Sequence, residues 1–455
     1  MNSATLQEQA WDALEQAIVT YQGNPIGTIA ARDPEIAALN YDQCFVRDFV
    51  APALLFLIRG RADIVRHFLE ETLKLQPKTT HFDCSKPSRG LIPASFKIVS
   101  VAGHEHLKAD FGDRAIGRVA PADAGLWWIL LLRAYVLATG DWDFSARSDF
   151  QAGIRLILEL CLVTRFDMYP MVLVPDGASM IDRRLGLYGY PLDIQSLFYA
   201  ALQASRELLV CQPENEQIIY AVHSRLEPLS KQLRDHYWLD PEHLNVIYRF
   251  KVEEYGEEAL NQFNIFSDSI PFYRLAKWLP DAGGYLAGNL GPSQLDTRFF
   301  AVGNLMAIIA SLTDKQQSHK ILNLIELRWT DLVGQMPMKL CFPALEDTDW
   351  RTVTGADPKN RPWSYHNGGS WPVLLWMLTA AAQKMGRGEL AHHAIAIAEQ
   401  RLLKDQWPEY YDGPDGRLVG REARKFQTWT IAGYLLAKEI IANPDTLRLV
   451  SFDAA

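Results

Sequence analysis

The residues of this chain that could do chemistry crowd into a few short segments. These are Tyr41-Asp42-Gln43-Cys44-Phe45-Val46-Arg47-Asp48, Asp110-Phe111-Gly112-Asp113, Ile181-Asp182-Arg183-Arg184, Trp363-Ser364-Tyr365-His366-Asn367-Gly368-Gly369-Ser370-Trp371 and Trp407-Pro408-Glu409-Tyr410-Tyr411-Asp412-Gly413. They supply carboxylates, amides, guanidiniums and indoles. The sequence has no glycine-rich phosphate loop, no His-Glu-x-x-His zinc motif and no Gly-x-Ser-x-Gly nucleophile elbow, which removes several common hydrolase and nucleotide mechanisms. Carboxylate chemistry remains. Glycoside hydrolysis is one form of it: one carboxyl protonates the leaving oxygen, and a second acts from the opposite side of the bond. Spacing alone does not choose among Asp42, Asp48, Asp182, Asp193, Glu409 and Asp412. Any single Asp in such a loop has the plainer reading of a helix cap, and His366 that of a hydrogen-bonded loop histidine.

The elements that must position these loops repeat along the chain. A loop rich in glycine, aromatic and charged residues leads into an apolar helix, a glycine break and a second, amphipathic helix. The clearest copies are Pro52 to Ile58 with Ile64 to Leu75, Ala124 to Thr139 with Gln151 to Leu162, and Pro372 to Met385 with Glu389 to Leu403. Less regular copies are Ile194 to Leu209 with Gln217 to Leu233, and Phe300 to Leu312 with Gln316 to Trp329. A final apolar helix, Thr430 to Ala442, finds its partner in the N-terminal helix Leu6 to Tyr21, which closes a ring. The first helix of each pair is apolar nearly all round and the second has a charged face. The expectation is therefore an all-α toroid of six hairpins forming one domain over residues 1–455, with the chemically loaded loops at one end. The segment Val252 to Pro292 reads as a long excursion between hairpins, and loops of that length tend to be functional.

Composition excludes other classes. The formal net charge is −9, whereas nucleic-acid binding needs clustered Lys and Arg, so no nucleic-acid partner is expected. Cys44, Cys84, Cys161, Cys211 and Cys341 are scattered, without metal-ligand spacing. No metal and no cofactor are expected, and reduced thiols fit a cytoplasmic protein. The N-terminus carries Glu8, Asp12 and Glu15 where a signal peptide needs an uninterrupted apolar core. Apolar runs such as Leu126 to Leu132 end well short of the roughly 20 residues that span a bilayer, so no membrane contact is expected. The aromatic content, 11%, exceeds what core packing asks for, and flat rings suit the C–H faces of sugars.

At the loops the sequence resembles a known family, the neutral/alkaline invertases of cyanobacteria and plants, glycoside hydrolase family 100. The segments that carry the resemblance are Asn40-Tyr41-Asp42-Gln43, Met180-Ile181-Asp182-Arg183-Arg184-Leu185-Gly186, Tyr188-Gly189-Tyr190-Pro191, Asp357-Pro358-Lys359-Asn360, Trp363 to Pro372 and Trp407 to Gly413. Nearly the whole chain is covered. Without the long N-terminal extension of plant relatives, it looks like the short, cyanobacterial form.

The resemblance implies an (α/α)6 barrel that hydrolyses sucrose to glucose and fructose with inversion, and a homo-oligomer such as a hexamer. It implies Asp182 as proton donor and Glu409 as catalytic base, with the two carboxyls roughly 6.5–9.5 Å apart. Asp182 must then stay protonated near neutral pH although two arginines follow it, so those arginines should turn to other acids or to sugar hydroxyls. For holding the sugar, the expected residues are Tyr41, Arg47, Asp48, Trp127, Arg184, Tyr188, Gln195, His366, Asn367, Gly368, Trp371, Tyr410 and Trp429. Arg421, Arg424 and Lys425 have the reading of a solvated basic face. Two rival functions stand beside this one: a sugar-sensing barrel without turnover, and a glycosidase acting on another glucoside such as trehalose.

Overall fold

A computed structural model of the chain describes residues 3–35, 40–79, 88–112, 120–162, 169–174, 177–181, 183–242, 244, 272–291 and 294–453. Among the described residues, twelve helices build the framework: α1 (Ser3–Gln16), α2 (Val50–Ile58), α3 (Ala62–Lys74), α4 (Ala124–Thr139), α5 (Ser148–Cys161), α6 (Leu192–Leu208), α7 (Glu216–His236), α8 (Ala301–Ile309), α9 (Lys315–Leu327), α10 (Leu375–Lys384), α11 (Gly388–Glu399) and α12 (Thr428–Ala442). The even-numbered helices form a closed inner ring. Each packs on the next, from α2 through α4, α6, α8 and α10 to α12, and α12 returns to α2. The odd-numbered helices lie outside, with α1 against α12 as the last partner.

Burial patterns explain the two rings. In α10 every residue from Leu375 to Ala382 is buried, as befits a helix covered on all sides. In α3 the buried residues are Ile64, Val65, Phe68, Leu69, Thr72 and Leu73, one stripe at helical spacing. Helix ends follow the expected chemistry: Gly140 closes α4 in the left-handed region at φ 74°, and the Asp141 side chain accepts the Phe144 N–H of the short helix that follows.

Three features differ from the sequence reading. Helix α1 stops at Gln16, and Ile18–Tyr21 pairs as a strand with Asn24–Thr28; the β-branched Ile18, Val19 and Thr20 favour the strand. An antiparallel ribbon, Ser95–Val101 with His104–Asp110, precedes α4. Its turn residues Ala102 and Gly103 both have positive φ, 52° and 81°, the backbone of a two-residue type I′ hairpin. A second ribbon, Tyr285–Gly291 with Gln294–Phe300, precedes α8. Of the expected excursion Val252 to Pro292, the part before residue 272 and Pro292 itself lie outside the described residues; the rest contains the helix Phe272–Trp278 and the first strand of this ribbon.

Candidate active site

Glu409 lies in a segment pinned on both sides. Its N–H donates to the Arg424 carbonyl at 2.8 Å, and Tyr411 and Ser370 exchange backbone hydrogen bonds at 2.8 and 2.9 Å. Just upstream, Gln406 and Trp407 hold positive φ of 64° and 54°, a strained conformation for residues with side chains, costing on the order of 1–3 kcal/mol each. The surrounding hydrogen bonds hold that strain and fix where the carboxyl points.

The Glu409 carboxyl is buried and meets the Tyr41 hydroxyl at 2.9 Å from both oxygens. Burial raises its pKa, while Lys359, the Tyr41 hydrogen bond and Arg424 pull it back. Arg424 in turn stacks over the Tyr41 ring, 5.1 Å from its centroid, so it is not the solvated surface charge the sequence suggested.

Within the ring is a narrow cavity of about 40 Å³ whose walls include Asp48, Asp123, Asp193, Trp127, Trp376 and Trp429, and Asp48 is near enough to Glu409 for the two charges to oppose each other. Arg47 forms one side: its Nε donates to Asp123 Oδ2 at 2.7 Å and its Nη1 to the Ser179 carbonyl at 2.7 Å. Asp193 accepts the Gly303 N–H at 2.8 Å through Oδ1.

The other oxygens, Asp193 Oδ2 and Asp123 Oδ1, are buried without a hydrogen-bond partner among the described residues. An unmet buried acceptor is costly, and both side chains line the cavity, so the deficit is one that ligand hydroxyls would cancel. Burial pushes Asp48 up to about 7, helped by Glu409 and Asp123 and opposed by Arg47. Burial likewise pushes Asp193 up to about 7, against the Gly303 hydrogen bond and Arg47.

The segment before α10 builds an aromatic wall. Trp371 stacks on Tyr410 at 5.3 Å, meets Trp429 edge-on at 5.6 Å and donates its indole N–H to the Tyr365 carbonyl at 3.0 Å. His366 stacks on Tyr365 at 3.9 Å. Gly368 has φ 82°, and a Cβ there would stand 3.0 Å from the Ala344 Cβ, which is why this turn takes glycine.

The remaining expected residues separate by what their polar atoms already do. Asn367 spends its amide on the Leu345 N–H and carbonyl and on the Asn360 carbonyl. Gln195 brackets Val172, accepting its N–H at 3.0 Å and donating to its carbonyl at 2.9 Å. Both are scaffold amides here. Arg184 reaches Asp357 at 3.5 Å and lies 5.8 Å from the Tyr365 centroid. Tyr188 is 50% exposed, and its carbonyl accepts from Asn289. Asp182 lies outside the described residues.

Sequence reasoning missed Asp123, Lys359 and Trp376 and did not retain Asp193. Asp123 stands at the N-cap of α4 without capping it. A capping Asp and one turned into a cavity look alike in sequence.

The chain matches the family model described as alkaline and neutral invertase over residues 10–444. Neutral/alkaline invertase 1, mitochondrial, of Oryza sativa subsp. japonica is 53% identical over 98% of this chain and 72% of the relative. Cytosolic invertase 1 of the same plant is 53% identical over 98% and 79%, and alkaline/neutral invertase C, mitochondrial, of Arabidopsis thaliana is 50% identical over 100% and 69%. Among solved structures, a GH63 mannosylglycerate hydrolase from Thermus thermophilus aligns with a TM-score of 0.58 at 12% identity, covering 95% of this chain and 100% of that one. A bacterial glucoamylase complexed with acarbose aligns at 0.54 and 13%, covering 98% and 58%. These two likenesses show the fold, an (α/α)6 barrel.

Proposed function

This chain belongs to the alkaline and neutral invertase family, and on that premise we propose that it hydrolyses sucrose by a single inverting displacement on the glucosyl carbon. Glu409 takes a proton from water, and the water oxygen bonds to glucosyl C1 as the bond to the fructosyl oxygen breaks. Asp182 gives its proton to that departing oxygen, which leaves as a fructose hydroxyl. The observation that carries the reading is Glu409: a buried carboxyl, clamped by the Tyr41 hydroxyl and near Asp48 on the wall of a cavity whose Asp123 and Asp193 each present an unmet oxygen.

A base must be ionised at working pH. Burial disfavours that and raises the pKa of Glu409, and Lys359, Tyr41 and Arg424 oppose the rise. Arg47, Asp48, Asp123 and Asp193 hold the glucosyl hydroxyls, Trp127 and Trp429 face the ring, and Trp371 and Tyr410 fix the wall behind Glu409. We read the protein as one catalytic barrel spanning the chain, cytoplasmic and homo-oligomeric, with a hexamer as the resemblance implies. A cytosolic relative supports the compartment, and no helix among the described residues is long and apolar enough to cross a membrane. Light scattering on the purified protein tests the assembly.

The mechanism is tested by ¹H NMR during the first minutes of sucrose turnover. Inversion releases β-glucopyranose first; early α-glucopyranose would rule it out. Asp182→Asn and Glu409→Gln should each fall below about 1% of wild-type kcat, since general acid or base catalysis contributes roughly 10²–10⁴.

A further inference from the structure

Behind the Glu409 segment, a second cleft opens beside the aromatic wall. Its volume is about 160 Å³, and its lining includes Lys359, Arg361, Arg421, Trp363, Tyr410 and Asp412. Tyr411–Asp412 is extended, and side chains alternate along extended backbone. Tyr410 and Asp412 thus face this cleft, while Glu409 faces Tyr41. The two cavities share no wall residue.

The cleft is built for an anion carried on something with hydroxyls. Among the described residues, Lys359, Arg361 and Arg421 form no ion pair, although the Lys359 ammonium rests on the face of the Tyr365 ring, 4.0 Å from its centroid. Three such cations around one concavity make a phosphate site of the usual kind. The pocket is larger than phosphate needs. Trp363, held at φ 62° with its indole N–H on Glu346 at 2.7 Å, offers a rigid flat ring, and Asp412, whose Oδ2 takes the Arg421 N–H at 3.0 Å, and Glu422 offer acceptors.

We propose that this cleft binds a phosphorylated monosaccharide, with Arg361, Arg421 and Lys359 on the phosphate and the Trp363–Asp412 side on the sugar. Lys359 connects the two sites, because it lines the cleft and its charge favours the ionised form of Glu409. The other groups facing Glu409 are Tyr41 and Asp48 from the loop before α2, Tyr410 from its own segment and Arg424 from the loop before α12. None of these four except Tyr410 lines the cleft. A phosphate there offsets Lys359, makes Glu409 easier to protonate and slows sucrose turnover most on the acid side.

The binding claim stands without any role for Glu409, whereas the kinetic coupling rests on the mechanism proposed above. Calorimetry with glucose 6-phosphate and with inorganic phosphate, both in excess glucose so that the sugar cavity is filled, separates the two. The expected result is glucose 6-phosphate binding with a Kd of about 1 mM or tighter, tighter than inorganic phosphate, and weakened at least about tenfold in Arg361→Ala/Arg421→Ala. That variant should turn over sucrose at the wild-type rate, which also reports that it folds. In the wild type the acid limb of kcat/KM should move up by roughly 0.5 unit when the ligand is present. Absence of binding, binding that the double variant keeps, or competition with glucose would overturn the site. Equal affinity for inorganic phosphate would overturn the sugar assignment. Binding without the shift of the acid limb would leave the site and remove the coupling.

Discussion

The Tyr41 hydroxyl stands 2.9 Å from both carboxylate oxygens of Glu409, across 368 positions of sequence. Its one proton is shared between two acceptors, so it stabilises the ionised carboxyl in either rocking position and lowers a pKa that burial raises. Tyr41→Phe removes that help and nothing else of size. A hydrogen bond to a charged group is worth about 1.5–3 kcal/mol, and about 1.4 kcal/mol is one pH unit. The acid limb of the kcat/KM profile should therefore move up by one to two units, with most of the rate recovered at alkaline pH. An unmoved limb would mean that Glu409 is not the group whose ionisation the rate reports.

Asp193 tests the cost of keeping a carboxyl in the cavity. Its pKa is raised to about 7 by burial, against roughly 3.9 in an unfolded chain. Between those values the native state holds a proton that the unfolded state has lost, so stability falls as pH rises through the window. Asparagine cannot ionise and can still accept the Gly303 N–H. Asp193→Asn should be more stable than wild type at pH 8, by up to about 4 kcal/mol, and no more stable at pH 4. Chemical denaturation at both values checks this, and sucrose turnover should drop because a charged acceptor for the sugar is gone. A variant equally stable at both pH values would mean that Asp193 is not strained by burial.

The part of the site legible in sequence was the part whose chemistry is also its pattern. Glycine breaks and one-sided apolar stripes marked the hairpins, because left-handed helix ends and a buried face each demand particular residues. Glu409, Tyr41 and the Arg47-Asp48 pair fell in unusual loops and came together as the ring closed. Asn367 sat in one of these loops and Gln195 in the first turn of α6, but both serve the backbone, and an amide that ties down a loop has the same letter as one that holds a sugar. The ribbon turn Ala102-Gly103 was invisible because alanine is a poor marker for positive φ. Asp123 was invisible because its position is that of a cap.

Gln195 gives a prediction of the opposite kind. Its side chain is buried and satisfies both backbone groups of Val172. Gln195→Ala leaves a buried N–H and a buried carbonyl unmet, at about 1–3 kcal/mol each, so unfolding should shift by about 2–5 kcal/mol. Per folded molecule, KM for sucrose should stay within about twofold. A large KM change with unchanged stability would return Gln195 to the sugar.

Two adjacent indoles on α4 should answer differently to the same substitution. Trp128 is fully buried; its N–H donates to Thr72 at 2.9 Å and its ring stacks on Phe150 at 5.7 Å. That ring joins α4 to the outer layer. Trp127, about 100° further round the helix, lines the cavity instead. Trp128→Ala should cost about 3–5 kcal/mol of stability, as large core deletions do, while the protein that remains folded keeps its kcat/KM. Trp127→Ala borders existing empty space on one side and should cost less stability, but it removes a flat wall from the sugar cavity. Its kcat/KM for sucrose should fall at least about tenfold, equivalent to about 1.4 kcal/mol of lost transition-state contact. If thermal unfolding and kinetics instead rank the two variants alike, the inner face of α4 does not touch the substrate, and the sugar must sit higher, among the loops that carry Tyr41 and Glu409.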